Sequence, residues 1–222
     1  MRLALFDLDH TLLSGDSDML WCDFLIDAGL LDESFRGRNA EMLKRYTAGT
    51  VMPVEFCNFY ASTLAGRDAA FWAPWRERLL AERVRPRICA DARRLVEKHR
   101  DAGDTLVLTT ATNRVITEPV ARELGFEHHI ATEVELRDGC YTGRTEGVLN
   151  MRTGKVDRLR EWLAGRGLYE STLKAATFYS DSINDLPLLS VVGHPVVVDP
   201  DDRLRAAAER HRWPVLRLDR RG

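Results

Sequence analysis

The chain reads as an α/β protein: a mostly parallel sheet covered by helices, interrupted by an all-helical insertion. Three observations predict this. Apolar runs of strand length alternate with stretches of helical periodicity from residue 86 to the end, which implies parallel strands joined by crossover helices. One further run, Leu3 to Phe6, stands alone near the start, and residues 16–85 of purely helical texture separate it from the rest. A length of 222 residues allows one large domain, or one domain carrying a smaller insertion.

Leu3 to Phe6 is too brief for a helix and is bounded by polar residues, so it is read as a buried strand. From Ser17 to about Tyr60 the apolar residues fall at helical spacing, as in Met19, Trp21-Cys22 and Phe24-Leu25-Ile26. Pro53 suits the first turn of a helix carrying Phe56, Phe59-Tyr60 and Leu64 and ended by Gly66. Another helix runs from Asp68 through Trp72 and Trp75 to Leu80, with Pro74 in its early part. Residues 16–85 then form a helical cap, and residues 1–15 with 86–222 form the core.

Within the core, helix Asp91–His99, strand Leu106–Leu108 and helix Val115–Leu124 follow in turn. Ile130–Thr132 is a short strand, and Val134 to Tyr141 alternates around Asp138-Gly139 as a hairpin does. Helix Val156–Leu163, strand Thr177–Tyr179, helix Asp185–Leu189 and strand Val196–Val198 continue the rhythm. Asp199-Pro200-Asp201-Asp202 opens a last helix as N-cap, N1 proline and acidic first turn, so these acids are read as capping residues. Leu216 to Leu218 is a final strand. No internal repeat or low-complexity tract is visible.

Composition narrows the function. Hydrophobic residues at 45% and charged residues at 30% are ordinary globular values. A net charge of −2 argues against a nucleic-acid partner, and no apolar run is long enough for a membrane partner. Cys22, Cys57, Cys89 and Cys140 lack paired metal-ligand spacing, so a reducing, cytoplasmic setting is expected. The basic charge is nearly all arginine; the lysines are Lys44, Lys98, Lys155 and Lys174.

Ligands of open parallel sheets bind beyond the carboxyl ends of the strands. There the sequence places Asp7-Leu8-Asp9-His10-Thr11, Thr109-Thr110-Ala111-Thr112 and Ser180-Asp181-Ser182-Ile183-Asn184-Asp185. Crowded carboxylates either share protons or hold a cation, and an all-oxygen donor set points to Mg²⁺. Singly, each feature has a plainer reading: Asp7 and Asp9 as turn caps, the threonines as helix-capping hydroxyls, Lys155 as a solvated helix-start lysine. Gly154-Lys155 is not a phosphate-binding P-loop, because Leu149 occupies the required upstream glycine position. His128 and His129 would point to opposite faces of a strand and make a poor metal pair.

Asp7-Leu8-Asp9-His10-Thr11-Leu12, Thr110, Lys155 and Asp181-Ser182-Ile183-Asn184-Asp185, in that order, resemble the motifs of the haloacid-dehalogenase superfamily. The chain is most similar to its phosphoserine-phosphatase-like branch, whose helical C1-type cap lies between the first two motifs. The resemblance spans nearly the whole chain and implies a Rossmann-like core with that cap. It implies an enzyme, a Mg²⁺-dependent phosphatase hydrolysing a small phosphorylated metabolite through an aspartyl-phosphate, with phosphoserine and histidinol phosphate the leading substrates in amino-acid metabolism.

By the same resemblance, Asp7 would be the nucleophile and Asp9 the general acid and base. Mg²⁺ would be held by Asp7, the main-chain carbonyl of Asp9, and Asp181. Thr110 and Lys155 would bind the phosphoryl group. Asp185 would orient Lys155 or a metal-bound water, Asn184 would fix its loop, and Asp16 would meet an amino group on the substrate. The chain departs from the branch at Asp16, where a Glu is usual, and at Thr110-Ala111-Thr112, which replaces Ser-Gly-Gly. Two alternatives share these residue types: a phosphotransferase of the same superfamily, and a signalling module that accepts phosphate without turning it over.

Overall fold

Leu3–Phe6 (β1) is buried at every position, as a central strand covered on both faces must be. Ala4 and Phe6 enter one apolar cluster and Leu3 and Leu5 another, following the alternation of a strand. The computed structural model describes residues 2–221. After β1 come four helices: α1 (Ser17–Asp27), α2 (Phe35–Thr47), α3 (Pro53–Ala61) and α4 (Ala69–Leu79). A π-helical turn, Leu80–Val84, and a 3₁₀ turn, Arg85–Arg87, lead on to α5 (Ala90–Asp101) and β2 (Thr105–Asn113). Then follow α6 (Arg114–Glu123), β3 (His128–Arg137), β4 (Cys140–Glu146), α7 (Thr153–Ala164) and β5 (Thr177–Ser180). The last elements are α8 (Leu186–Leu189), β6 (His194–Val198), α9 (Asp202–His211) and β7 (Val215–Leu216).

The strands form a seven-stranded sheet in the order β4-β3-β2-β1-β5-β6-β7, parallel except at the β3–β4 hairpin. β1 lies between β2, with Leu3 opposite Thr105, and β5, with Ala4 opposite Thr177. The loops that follow these three strands therefore meet at one edge.

Helices α7, α8 and α9 cover one face through Leu159, Leu163, Leu188 and Leu204. On the other face α5 and α6 share their cluster with α1 and α4, which contribute Trp21, Phe24, Trp72 and Leu79. Trp21 and Trp72 meet edge to face at 5.4 Å, and their indole N–H groups donate to Thr63 Oγ1 and Leu64 O. Burying each such ring stabilises by roughly 2–3 kcal/mol. Helices α2 and α3 have a smaller core with Cys22 and Ile26, centred on Phe35, Met42, Phe56 and Tyr60. The helices between β1 and β2 thus pack in two parts, one continuous with the sheet and one of its own.

The hairpin also grips these helices. Gly66 N–H donates to Tyr141 O, Tyr141 N–H donates to Arg67 O, and Thr145 N–H donates to Asn58 Oδ1 at 2.8 Å. Gly143 has a φ of +83°, and a Cβ there would lie 2.9 Å from Ala65 Cβ and 3.1 Å from Ser62 Cα. Glycine permits both the backbone angle and the close approach.

Several sequence expectations need correcting. Ile130–Thr132 and the first arm of the hairpin are one strand, β3, paired on both sides. β2 runs on through Thr109–Thr112 with a register shift, so the hydroxyl cluster lies in the strand and not beyond it. Asp185–Leu189 is a 3₁₀ turn, Ile183–Asp185, followed by the four-residue α8. Pro200 is not the first helical residue: Asp201 caps α9, its Oδ1 accepting Leu204 N–H at 2.7 Å. The final strand is Val215–Leu216. α4 continues through Pro74, whose missing N–H leaves the carbonyl of exposed Ala70 to water. Among the described residues no helix is long and apolar enough to cross a membrane.

Candidate active site

Asp7 extends β1, its N–H donating to Tyr179 O at 3.0 Å, and the chain then turns sharply. Leu12 and Leu13 N–H both donate to Leu8 O, and His10 takes the left-handed conformation, φ 57°. Arg220 steadies this turn from outside: its Nη2 donates to His10 O at 2.9 Å and to Thr11 O at 2.8 Å. The turn aims the buried Asp7 at Lys155, in the first turn of α7. Gly154 makes that placement possible, since a Cβ would lie only 2.0 Å from Leu149 O.

Lys155 is 2% exposed and donates to Asp7 Oδ1 and Asp185 Oδ2, at 2.7 Å each. Asp185 Oδ2 also accepts the Ser180 hydroxyl at 2.7 Å. The other oxygen of Asp7, Oδ2, lies 3.2 Å from the Thr11 hydroxyl, which is 3.0 Å from Asp181 Oδ1. One hydroxyl proton cannot serve both carboxylates at once.

A second group of acids stands beside these without a lysine. Asp9 Oδ1 accepts Ser17 N–H at 2.7 Å, and its Oδ2 accepts the Thr112 hydroxyl at 2.9 Å. The same hydroxyl is 3.3 Å from Asp18 Oδ2. Asp16 caps α1, its Oδ1 accepting Met19 N–H at 2.9 Å. Asp18 is 7% exposed, and among the described residues its Oδ1 has no hydrogen-bond partner.

Burial dominates the electrostatics. It pushes Asp7 up to about 7 despite Lys155, and Asp9 up to about 6 with repulsion from Asp16 added. Asp181 is raised well above the ordinary carboxyl range by burial and then by Asp7; Asp18 is raised by burial, then by Asp16 and Asp9. Burial works against the charge on Lys155, but Asp185 and Asp7 outweigh it and raise its pKa.

These groups line a cavity of about 240 Å³. Of the residues picked out from the sequence, Asp7, Asp9, Asp16, Lys155, Asp181, Asn184 and Asp185 all line it. Thr110 is buried beside it, its hydroxyl accepting Thr112 N–H at 3.3 Å. Tyr46 and Phe56, stacked at 4.0 Å, form a wall from the helical side, and Asn184 Nδ2 donates to Tyr46 Oη at 3.0 Å. A larger groove of about 820 Å³, lined by Arg2, Thr177 and His194, opens where β5 and β6 begin, away from these acids.

Asp18 and Thr112 were not singled out from the sequence as site residues. Asp18 follows Asp16 by two residues, and that Asp-Ser-Asp run was the available signal. Thr112 looked like a helix cap, but Asn113 caps α6, accepting Ile116 N–H at 3.2 Å. His128 and His129 do part ways: the His128 ring packs on Trp162, and His129 Nε2 lies 3.0 Å from Thr117 Oγ1.

The site suits a hard cation. Asp7 is buried and Asp181 half-buried; they repel one another and offer only oxygen, so a divalent ion between them would remove the repulsion. Among the described residues no three or more His, Cys, Asp and Glu side chains form a metal cage. Such an ion would therefore take these two carboxylates with main-chain and water oxygens.

The family model for haloacid dehalogenase-like hydrolases matches residues 4–190. A protein of Neisseria meningitidis serogroup C named histidinol-phosphatase is 38% identical over 217 residues, covering 97% of this chain and 98% of its own length. A crystal structure from Bordetella pertussis Tohama I, of a protein of unknown function, has a TM-score of 0.93 at 42% identity, with 99% of this chain and 98% of that one covered. A substrate-bound phosphoserine phosphatase has a TM-score of 0.68 at 16% identity over 97% of this chain and 92% of its own, a likeness of fold.

Proposed function

The chain belongs to the haloacid dehalogenase-like hydrolases and is a phosphatase of that family, and we propose that it hydrolyses a small phosphomonoester through an aspartyl-phosphate with the help of Mg²⁺. The observation that carries this reading is Asp7 held by a buried lysine, one oxygen on Lys155 at 2.7 Å and the other facing Thr11 and Asp181. In this reading Asp7 attacks phosphorus while Asp9 gives a proton to the leaving alcohol. Asp9 then takes a proton from water, which attacks the aspartyl-phosphate and releases inorganic phosphate. A pKa raised to about 6 keeps Asp9 near the balance that both proton transfers need.

Lys155 and the Thr110 hydroxyl would neutralise and orient the phosphoryl oxygens, and Asp185 fixes Lys155. Asp7, the carbonyl of Asp9, and Asp181 would hold Mg²⁺. When bound, the ion would offset the repulsion between an anionic nucleophile and an anionic phosphate. Unassisted phosphomonoester hydrolysis is slow enough that enhancements can approach ~10²¹-fold, so nucleophile, acid and cation all have work to do.

Histidinol phosphate and phosphoserine are the leading substrates, the first supported by the full-length similarity to the Neisseria protein. Either would place the enzyme in amino-acid metabolism, and four free cysteines suit a reducing cytoplasm. The test is phosphate release from both esters with Mg²⁺, with Ca²⁺ and after chelation. Release with Mg²⁺, little with Ca²⁺ and none after chelation is expected, along with an acyl phosphate on Asp7 that hydroxylamine traps. Full activity after exhaustive chelation would remove the metal from the reading. Phosphate passed to an added acceptor alcohol would make the enzyme a transferase, and a stable phosphoenzyme without turnover would make it a signalling module.

A further inference from the structure

Asp18 has no place in the chemistry just described. It is 7% exposed, it lines the cavity, and its Oδ1, itself buried, has no hydrogen-bond partner among the described residues. Leaving a buried carboxylate oxygen unpaired costs several kcal/mol unless something else occupies it. Its other oxygen shares the Thr112 hydroxyl with Asp9, the proposed acid for the leaving alcohol. Asp18 therefore stands on the leaving-group side of the cavity, beside Asp16 and close to the ester oxygen.

The balance of charge there is one-sided. Asp7, Asp9, Asp16, Asp18, Asp181 and Asp185 line the cavity, and Lys155 is already taken by Asp7 and Asp185. The remaining cation, Arg152, is exposed at the cavity's edge. Tyr46 and Phe56 add an aromatic wall that suits a cation or a flat ring.

We infer that the incompletely paired carboxylate of Asp18, with Asp16, is the subsite for a cationic nitrogen on the substrate's alcohol, and that it selects phosphate esters of 1,2-amino alcohols lacking a carboxylate. This rests on the phosphatase reading and deepens it. The sharing of Thr112 sets the reach, because the nitrogen must lie only a few bonds from the ester oxygen that Asp9 protonates. A carboxylate on the same carbon would enter a field of acids with no free buried cation to receive it. Histidinol phosphate meets these conditions and phosphoserine does not.

The first measurement uses the unmodified enzyme with Mg²⁺ and four esters: O-phosphoethanolamine, 2-hydroxyethyl phosphate, O-phosphoserine and p-nitrophenyl phosphate. The value of kcat/KM for O-phosphoethanolamine should exceed those for 2-hydroxyethyl phosphate and O-phosphoserine by about tenfold or more, the worth of one charge-assisted hydrogen bond. Equal values would overturn the subsite while leaving the phosphatase reading standing. No phosphate from any ester would overturn both.

The second measurement uses Asp18→Asn. The ratio of kcat/KM for histidinol phosphate to that for p-nitrophenyl phosphate should fall about tenfold or more, chiefly through KM, and histidinol should bind correspondingly more weakly by calorimetry. An unchanged ratio would mean that Asp18 acts only through Thr112 and Asp9. A second Mg²⁺ bound without substrate and lost in Asp18→Asn would make the subsite a metal site and overturn the proposal. Should Asp18→Asn not fold, the ester comparison on the unmodified enzyme still decides.

Discussion

Asp7 and Asp185 are buried around Lys155, whereas Asp9, Asp16 and Asp18, lining the same cavity, are set among hydroxyl and main-chain N–H groups. On the lysine side a cation is supplied inside the protein, one lysine for two acids, so the nucleophile is oriented before any ligand arrives. On the other side the balance is left to whatever enters, and one buried oxygen of Asp18 stays unpaired among the described residues. The side that makes and breaks bonds is thus prepared in advance, and the side that reads the alcohol is completed by it.

Asp7→Asn should break the prepared side most severely. The amide is nearly isosteric but a far weaker nucleophile, so kcat should fall on the order of 10⁴-fold with the circular dichroism spectrum retained. More than a few per cent of residual turnover would refute its role. Asp9→Asn should cost about 10³-fold for an alkyl phosphate and less for p-nitrophenyl phosphate, whose leaving group needs no proton. Wild-type rates on the alkyl ester would reassign the acid.

Lys155→Met tests the balance directly. It leaves Asp7 and Asp185 buried without a cation, which should cost about 3–5 kcal/mol in urea unfolding. A loss under about 1 kcal/mol would show that both carboxyls are neutral in the native protein.

The two sides share a pH signature in the chelated protein. Asp7 and Asp9 titrate near 7 and 6 when folded but near 3.8 when unfolded, so the folded state holds more protons between those values. Their contribution is complete below about 3.8 and is lost as pH rises through 6 and 7. His129 works the other way: burial and Arg114 depress it to about 4, so its contribution is lost as pH falls from 6.5 towards 4. Two acids outweigh one histidine, so the melting temperature without metal should fall steadily from pH 5 to pH 8, and Mg²⁺ should flatten the fall at high pH. A rise from pH 6 to pH 8 in chelator would contradict the raised acids. The smallest effect expected is from Asp16→Ala, which removes the cap on α1 and should cost about 1 kcal/mol, whereas Asp16→Asn should retain it.

The parts legible in the sequence were those where residue type and position coincide. Acids just beyond a strand could be placed without coordinates, because strands in a parallel sheet all point their loops one way. Asp18 was missed because a carboxylate in the first turn of a helix is ordinary, and what sets it apart is Thr112, 94 residues away. The same holds for Arg220, whose bonds to the turn after β1 span about 210 residues. Asn150 is another case: its buried Nδ2, with two hydrogens to give, lies within hydrogen-bonding distance of Thr109 Oγ1, Thr110 O and Ile130 O, tying together three segments that no local pattern connects. The β2 boundary was misplaced for a related reason, since Thr109–Asn113 is held extended by β3 and not by its own composition.

Asp7 meets Lys155 across 148 residues, and Thr11 meets Asp181 across 170. β1 itself pairs only with strands from the middle and late parts of the chain. The nucleophile therefore has no native surroundings until long loops have closed, and closing such loops is a slow, entropically costly event in folding. Regained turnover should lag behind helix formation during refolding and coincide with the last tertiary signal. During synthesis the short apolar β1 emerges before its partners and must wait for β5 to be made.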